Sequence, residues 1–309
     1  MLLRYLGWAG LEPALSQYKR PSPPSLAGPM PPEPQVPMLL RGPPRFADLV
    51  FHVLAHVRRS AGEAASVYDP EWVRFAASHL GPAESRTLAE DADALGQLAP
   101  GHEALSRLQL VAWLFADVER ARVVAARELA DLGPDEVDAP ELLATLRQLG
   151  PAPELLRVAA ELERPFFERL PAPEHDWARS AASFEAMLGV APELGQCTVE
   201  LVRSLRLRGR VRGSRIWVGV PDPALGPTLE HVSWQAAHEA TVREVGRHAR
   251  AAERRVEQMA VVLLAARARR QGRDADHGRW LAHFGANAPE TNPSSLDEAE
   301  QRLVSELLG

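Results

Sequence analysis

The run FADLVFHVLAHVRR, residues 46–59, sets apolar side chains around every side of a helix and leaves a single polar line of Asp48, His52 and His56. Residues four apart lie on one helix face, one turn from each other. A helix that is apolar all round has no side to give to water. The chain must therefore enclose this segment with other elements, and must satisfy three ionisable groups inside the enclosure. No fixed-length repeat accompanies it that would build such an enclosure by stacking.

The remainder of the sequence has the means to do so. With 309 residues, 46% of them hydrophobic and 25% charged, it is long enough for one large or two medium domains with a sizeable core. Leucines, alanines and valines recur at three and four, and Gly-Pro or Pro-Ala-Pro marks the joints. This predicts helices near 45–59, 70–80, 83–98, 102–131 with a break, 139–149, 152–170 and 175–189. The pattern then changes. Residues 197–221, CTVELVRSLRLRGRVRGSRIWVGVP, read as two or three strands, with Gly209 and Gly213 available for turns. A long helix is expected from Thr228, a good N-cap with Glu230 in its first turn, followed by helices at 251–271, 276–284 and 295–309. The fold class is mainly α (α+β), with a small late hairpin or sheet ahead of a long helix. Its principal domain runs over 45–309, and a division, if there is one, falls near 190.

Residues 1–44 are set apart. Eleven of the 27 prolines fall between residues 13 and 44, a density that removes backbone donors and favours a solvated polyproline II coil. This segment is expected to be a disordered tail, and its P-x-x-P spacings fit a partner with an aromatic groove.

Composition narrows the chemistry. Lys19 is the only lysine, so the folded part has no P-loop, Schiff-base or kinase-type lysine. Cys197 is the only cysteine, which excludes an internal disulfide, a Cys-rich zinc site and an iron–sulfur cluster, and a buried small hydrophobe is its expected role. A formal charge of −6 argues against a nucleic-acid partner. No run reaches the roughly 18 apolar residues of a membrane span, and the start, broken by Arg4 and Glu12, lacks a basic region and cleavage site. A cytoplasmic location without membrane contact is expected.

Two constellations bear on function. His52 and His56 have the H-x-x-x-H spacing by which two imidazoles one turn apart converge on an ion; the alternative is a pair of core histidines held by carbonyls or a carboxylate. The second is His238-Glu239 in QAAHEATVREV, on the helix that follows the strands. There the sequence resembles the active helix of zincin metallopeptidases, where a strand pair precedes H-E-x-x-H. The resemblance covers about 40 residues and implies His238 as a zinc ligand and Glu239 as the base that activates water. The second family histidine would fall on Val242, so that ligand does not carry over.

If the two helices are neighbours, His52, His56 and His238 supply three ligands to a divalent metal, zinc foremost, and leave a fourth position for water. This gives the leading expectation: a metal-dependent hydrolase acting on a small molecule or peptide, or an inactive zincin-like relative. The rival is a non-catalytic helical interaction protein with structural histidines. A third reading, a helical small-ligand module, uses a pocket near Trp234 and Trp280. Asp274, Asp276, His277 and His283 also mix carboxylates and imidazoles, but at a helix start such residues commonly serve as caps.

Overall fold

The computed structural model describes residues 39–42, 44–57, 70–99, 104, 107–116, 118–125, 127, 129–170, 176–205, 209–221, 228–282 and 292–309. It is mainly helical, with four strands among the described residues. In chain order these elements are β1 (Leu39–Arg41), α1 (Arg45–His56), α2 (Pro70–His79), α3 (Pro82–Leu98), α4 (Val118–Ala125), α5 (Leu143–Arg147), α6 (Ala152–Arg169) and α7 (Trp177–Glu185). Then come β2 (Thr198–Val202), β3 (Arg210–Arg212), β4 (Arg215–Gly219), α8 (Leu229–His248), α9 (Glu253–Arg270), α10 (Asp274–Ala282) and α11 (Glu298–Leu308).

The sheet runs in the order β1-β2-β4-β3. β1, β2 and β4 are parallel, and β3 is an antiparallel edge strand. The β3–β4 turn needs Gly213, whose φ of +55° lies in the left-handed region that costs an L residue a clash with its own carbonyl. Side chains alternate across the sheet, and here the alternation separates two cores. Val202 and Trp217 point to a core built by α1, α3, α4 and α6, whereas Val199, Leu201, Ile216 and Val218 point to a second core with α8. A third cluster joins α8, α9 and α11 through Val245, Met259, Leu263 and Val304.

The enclosure of α1 is as the sequence demands. Residues Phe46–Leu54 are all buried, and α6, α3, α2, α4 and the 3-10 turn Gln109–Trp113 pack around them. α6 tolerates Pro165 in its interior because Leu155, Leu156, Ala159, Leu162 and Phe166 still make one buried stripe. The Glu163 carboxylate, buried beside them, is held by Arg45 of α1 and Arg122 of α4.

Three sequence expectations are revised. Residues 39–41 were expected in the tail but form β1, because β2 offers a parallel edge whose backbone groups they pair, Leu40 standing beside Val199; residues 1–38 lie outside the described set. The broken helix expected over 102–131 is more fragmented than that: helical residues at 104 and 107–108 lead into the 3-10 segment 109–113, then α4 and a 3-10 turn at 129–131. Asp138 accounts for the break: its carboxylate accepts from the Ala116 amide at 2.6 Å and from Arg120 at 3.0 Å, and its own amide donates to Leu114. The last helix, expected from 295, begins at Glu298: Asp297 caps it, with Glu300 reaching back, while Asn292 caps a separate 3-10 turn at 293–295. Thr228 caps α8 as expected, its hydroxyl accepting from the His231 amide.

Candidate functional site

The polar line on α1 has two kinds of member. Asp48 is buried completely and is saturated by the segment that follows β2: Arg203 Nε donates to Oδ2 at 2.8 Å, and the Ser204 amide and hydroxyl donate to Oδ1 at 2.9 and 3.1 Å. Ser204 Oγ also reaches the Asp48 carbonyl at 2.9 Å. The carboxylate is therefore a tie between α1 and the sheet. The Arg203 guanidinium then lies over Phe166 and Phe167 of α6, 4.9 and 5.4 Å from the ring centres.

His52 and His56 do adjoin each other, as the spacing predicts, with ring centres 4.8 Å apart in an edge-to-face arrangement. His52 also lies 4.7 Å from Phe166. Burial, then the neighbouring His56 and Arg203, hold the His52 pKa well below the usual imidazole range, and burial pushes His56 down to about 4. With the Arg203 guanidinium already acting on His52, this is a poor setting for a further cation. Their surroundings are those of aromatic core residues.

His238 and Glu239 sit on α8, whose residues 232–241 are buried on all sides. The helix packs against the sheet through β4 and β3, and against α9, α7 and α10. Ala236, Ala237 and Ala240 allow that close approach. Glu239 Oε1 accepts from Gln235 Nε2 at 2.8 Å, one turn earlier. Its side chain also faces Gly209: a Cβ built there would fall 2.4 Å from Glu239 Cγ and 2.7 Å from Oε1, so only glycine lets the chain pass before β3. His238 points to α10, its ring 5.4 Å from that of Trp280.

The expected three-histidine centre is thus not assembled. His52 and His56 pack with α6 in the first core, while His238 packs with α10 beside the second. The sheet stands between those two cores, and α1 and α8 contribute to different ones, which hydrophobic spacing along the chain could not reveal. Among the described residues no group of three or more His, Cys, Asp or Glu side chains is placed to hold a metal ion. The donor set proposed from the sequence does not fit a shared zinc.

What the structure does gather around His238 is a ring cluster that the sequence only partly disclosed. Trp234 is 5.3 Å from His277, and Trp280 is 5.5 Å from His277 and 6.4 Å from Trp234. Arg273 lies over the Trp234 ring at 5.1 Å. Burial pushes both His238 and His277 down to about 4, with His277 adding to the effect on His238. Asp274 and Asp276 stand in the first turn of α10 as the sequence suggested, but His277 is turned inward. The available signal was the spacing Trp234–His238 and His277–Trp280 on two facing helices; His283 lies outside the described residues.

A second buried polar group, Glu200, carries no local sequence signal. Glu200 on β2 accepts from the indole of Trp217, its partner on β4, at 2.6 Å, and from Arg215 at 2.8 Å. Trp217 in turn stacks on Trp113 with centroids 3.4 Å apart. Cys197 is buried, with its thiol donating to the Glu193 carbonyl, and burial pushes its pKa up, away from thiolate chemistry. Among the described residues no helix is long and apolar enough to cross a membrane. Compared with protein-family models, with curated proteins and with solved structures, the chain has no match in any of the three.

Proposed function

We propose that this protein is a non-catalytic helical interaction protein whose buried histidines are structural. The observation that carries the reading is the separation of the candidate ligands: His52 and His56 belong to one aromatic core, His238 to another, and no third donor completes either set among the described residues. The nearby carboxylates also have partners of their own: Glu239, the base of the zincin-like reading, accepts from Gln235, and Asp48 on α1 accepts from Arg203 and Ser204. A polar group bound this way stabilises a fold without needing a reaction. The proline-dense segment before β1 supplies P-x-x-P spacings through which a partner would be engaged. One cysteine among 309 residues fits a cytoplasmic setting.

The test is metal analysis together with thermal unfolding. The purified chain is expected to contain well under one equivalent of zinc, manganese or iron. Its melting temperature is expected to stay constant on adding chelator or excess zinc, because an ion that binds only the folded state would raise it. Stoichiometric metal lost in both His52→Ala and His238→Ala would overturn the reading and restore the metal-dependent hydrolase. In that case Glu239→Gln should leave the metal bound and remove hydrolysis.

A further inference from the structure

Three buried nitrogens that the proposed function does not use belong to one cluster at the α8–α10 interface. Trp234 Nε1, His238 Nδ1 and His277 Nε2 each have no hydrogen-bond partner among the described residues. The side chains that carry them are deeply enclosed, at 0, 8 and 3% exposure. All three rings surround Trp280, between 5.4 and 6.4 Å from it. Folded proteins rarely leave one such atom unpaired, because it forfeits its bond to water and gains nothing in return. One polar occupant shared by the cluster would satisfy all three.

The atoms specify its chemistry. An indole N–H only donates, so whatever meets Trp234 Nε1 must accept. Neutral imidazoles carry their proton on either nitrogen, and burial keeps both rings neutral at pH 7. Nδ1 of His238 and Nε2 of His277 are therefore available as donors beside the indole. The Arg273 guanidinium, fixed over Trp234 by its bond to the Ala186 carbonyl at 2.8 Å, adds positive charge on one side. The carboxylates of the neighbourhood are engaged at the surface: Asp274 by Arg269, Asp276 by Arg273 and Arg279, and Glu230 by Arg279. A cation placed among these nitrogens would face the indole N–H dipole and the Arg273 guanidinium, and Asp274, the carboxylate that acts on His277, is already shared with Arg269. An anion would meet the indole N–H and, in the matching tautomers, two imidazole N–H groups.

We propose that the Trp234–His238–His277 cluster is a binding site for a small oxyanion, a carboxylate or an inorganic oxyanion, held by the indole and the two imidazoles. This assignment goes beyond the interaction-protein reading: it gives two of the buried histidines, His238 and His277, a ligand at the interface between α8 and α10, and leaves His52 and His56 structural.

The experiment titrates the full-length protein with sodium acetate, and separately with inorganic phosphate, at pH 7 and constant ionic strength. The readout is the indole N–H resonance of Trp234 in a proton–nitrogen correlation spectrum, identified by its loss in Trp234→Phe. A saturable downfield shift of that resonance is expected with one of the two anions. His277→Phe should weaken binding by about tenfold or more, and His277→Gln, which retains a donor, by no more than about threefold. Should His277→Phe fail to fold, His238→Phe applies the same test from the other helix. A Trp234 resonance unmoved up to about 50 mM of both anions overturns the proposal whatever the variants do, and leaves an internal water as the only occupant. A shift of equal midpoint in the wild type and His277→Phe also overturns it, since the anion then sits elsewhere.

Discussion

Removing the Asp48 carboxylate should be among the most damaging single changes in this chain. The group lies fully buried in α1 and carries the Arg203 ion pair at 2.8 Å together with the Ser204 amide at 2.9 Å. Asp48→Ala deprives a buried guanidinium of its counter-ion, which in comparable settings costs about 3–5 kcal/mol. It also leaves the Ser204 amide without an acceptor, worth about 1–3 kcal/mol. The two overlap, because Arg203 and Ser204 are adjacent and relax together, so the expected loss is about 4–6 kcal/mol. That is a large share of the ~5–15 kcal/mol that holds a typical domain, and corresponds to a fall in melting temperature of roughly 10–20 °C for a domain of this size. Urea unfolding followed by circular dichroism, with the slope checked for constancy, measures it. Asp48→Asn keeps an acceptor for Ser204 and should lose only about half as much. In Asp48→Leu/Arg203→Met, both charges are gone and most of the loss should be recovered. If Asp48→Ala costs less than about 1 kcal/mol, the tie between α1 and the segment after β2 contributes little, and the account of why an acid sits in this helix is wrong.

Beginning the chain at Pro44 removes β1 and exposes the β2 edge, so it should lower stability by about 1–3 kcal/mol relative to a chain beginning at Met38, which retains the pairing; equal melting temperatures would show that β1 adds nothing. Gly209→Ala should cost about 1–3 kcal/mol through the approach to Glu239 Cγ, and Gly209→Ala combined with Glu239→Ala should recover part of it, as a double-mutant cycle in urea would record. Acid should destabilise the fold across a defined window. His238 and His277 are held near 4 in the folded state against 6.5 for a free imidazole, so their contribution is complete above about pH 6.5 and is lost as the pH falls towards 4. Each ring then accounts for up to about 2 kcal/mol between pH 6.5 and 5, and His277→Gln should flatten the measured dependence of melting temperature on pH; an unchanged slope would contradict the burial of that ring.

Several features were fixed by local pattern. The all-apolar helix at 45–56, the N-cap at Thr228, the inward packing of Cys197 and the turn at Gly213 follow from side-chain periodicity, capping geometry and backbone sterics, which act within a few residues. The H-x-x-x-H adjacency of His52 and His56 is of the same kind, because four residues make one helical turn whatever surrounds it. The identity of their partners is not. Asp48 meets Arg203 and Ser204 across about 155 residues of sequence, and His238 meets His277 and Trp280 instead of His52, because the sheet inserts between the two helical cores and its pleat sends successive side chains to opposite sides. β1 shows the same limit from the other direction: LLR carries no strand signal of its own at the end of a proline-dense run, and becomes a strand only where β2 presents an edge to pair with. Spacing along the chain sets which groups share a face, but which face meets which is decided by how layers stack, and that depends on the whole set of buried surfaces at once.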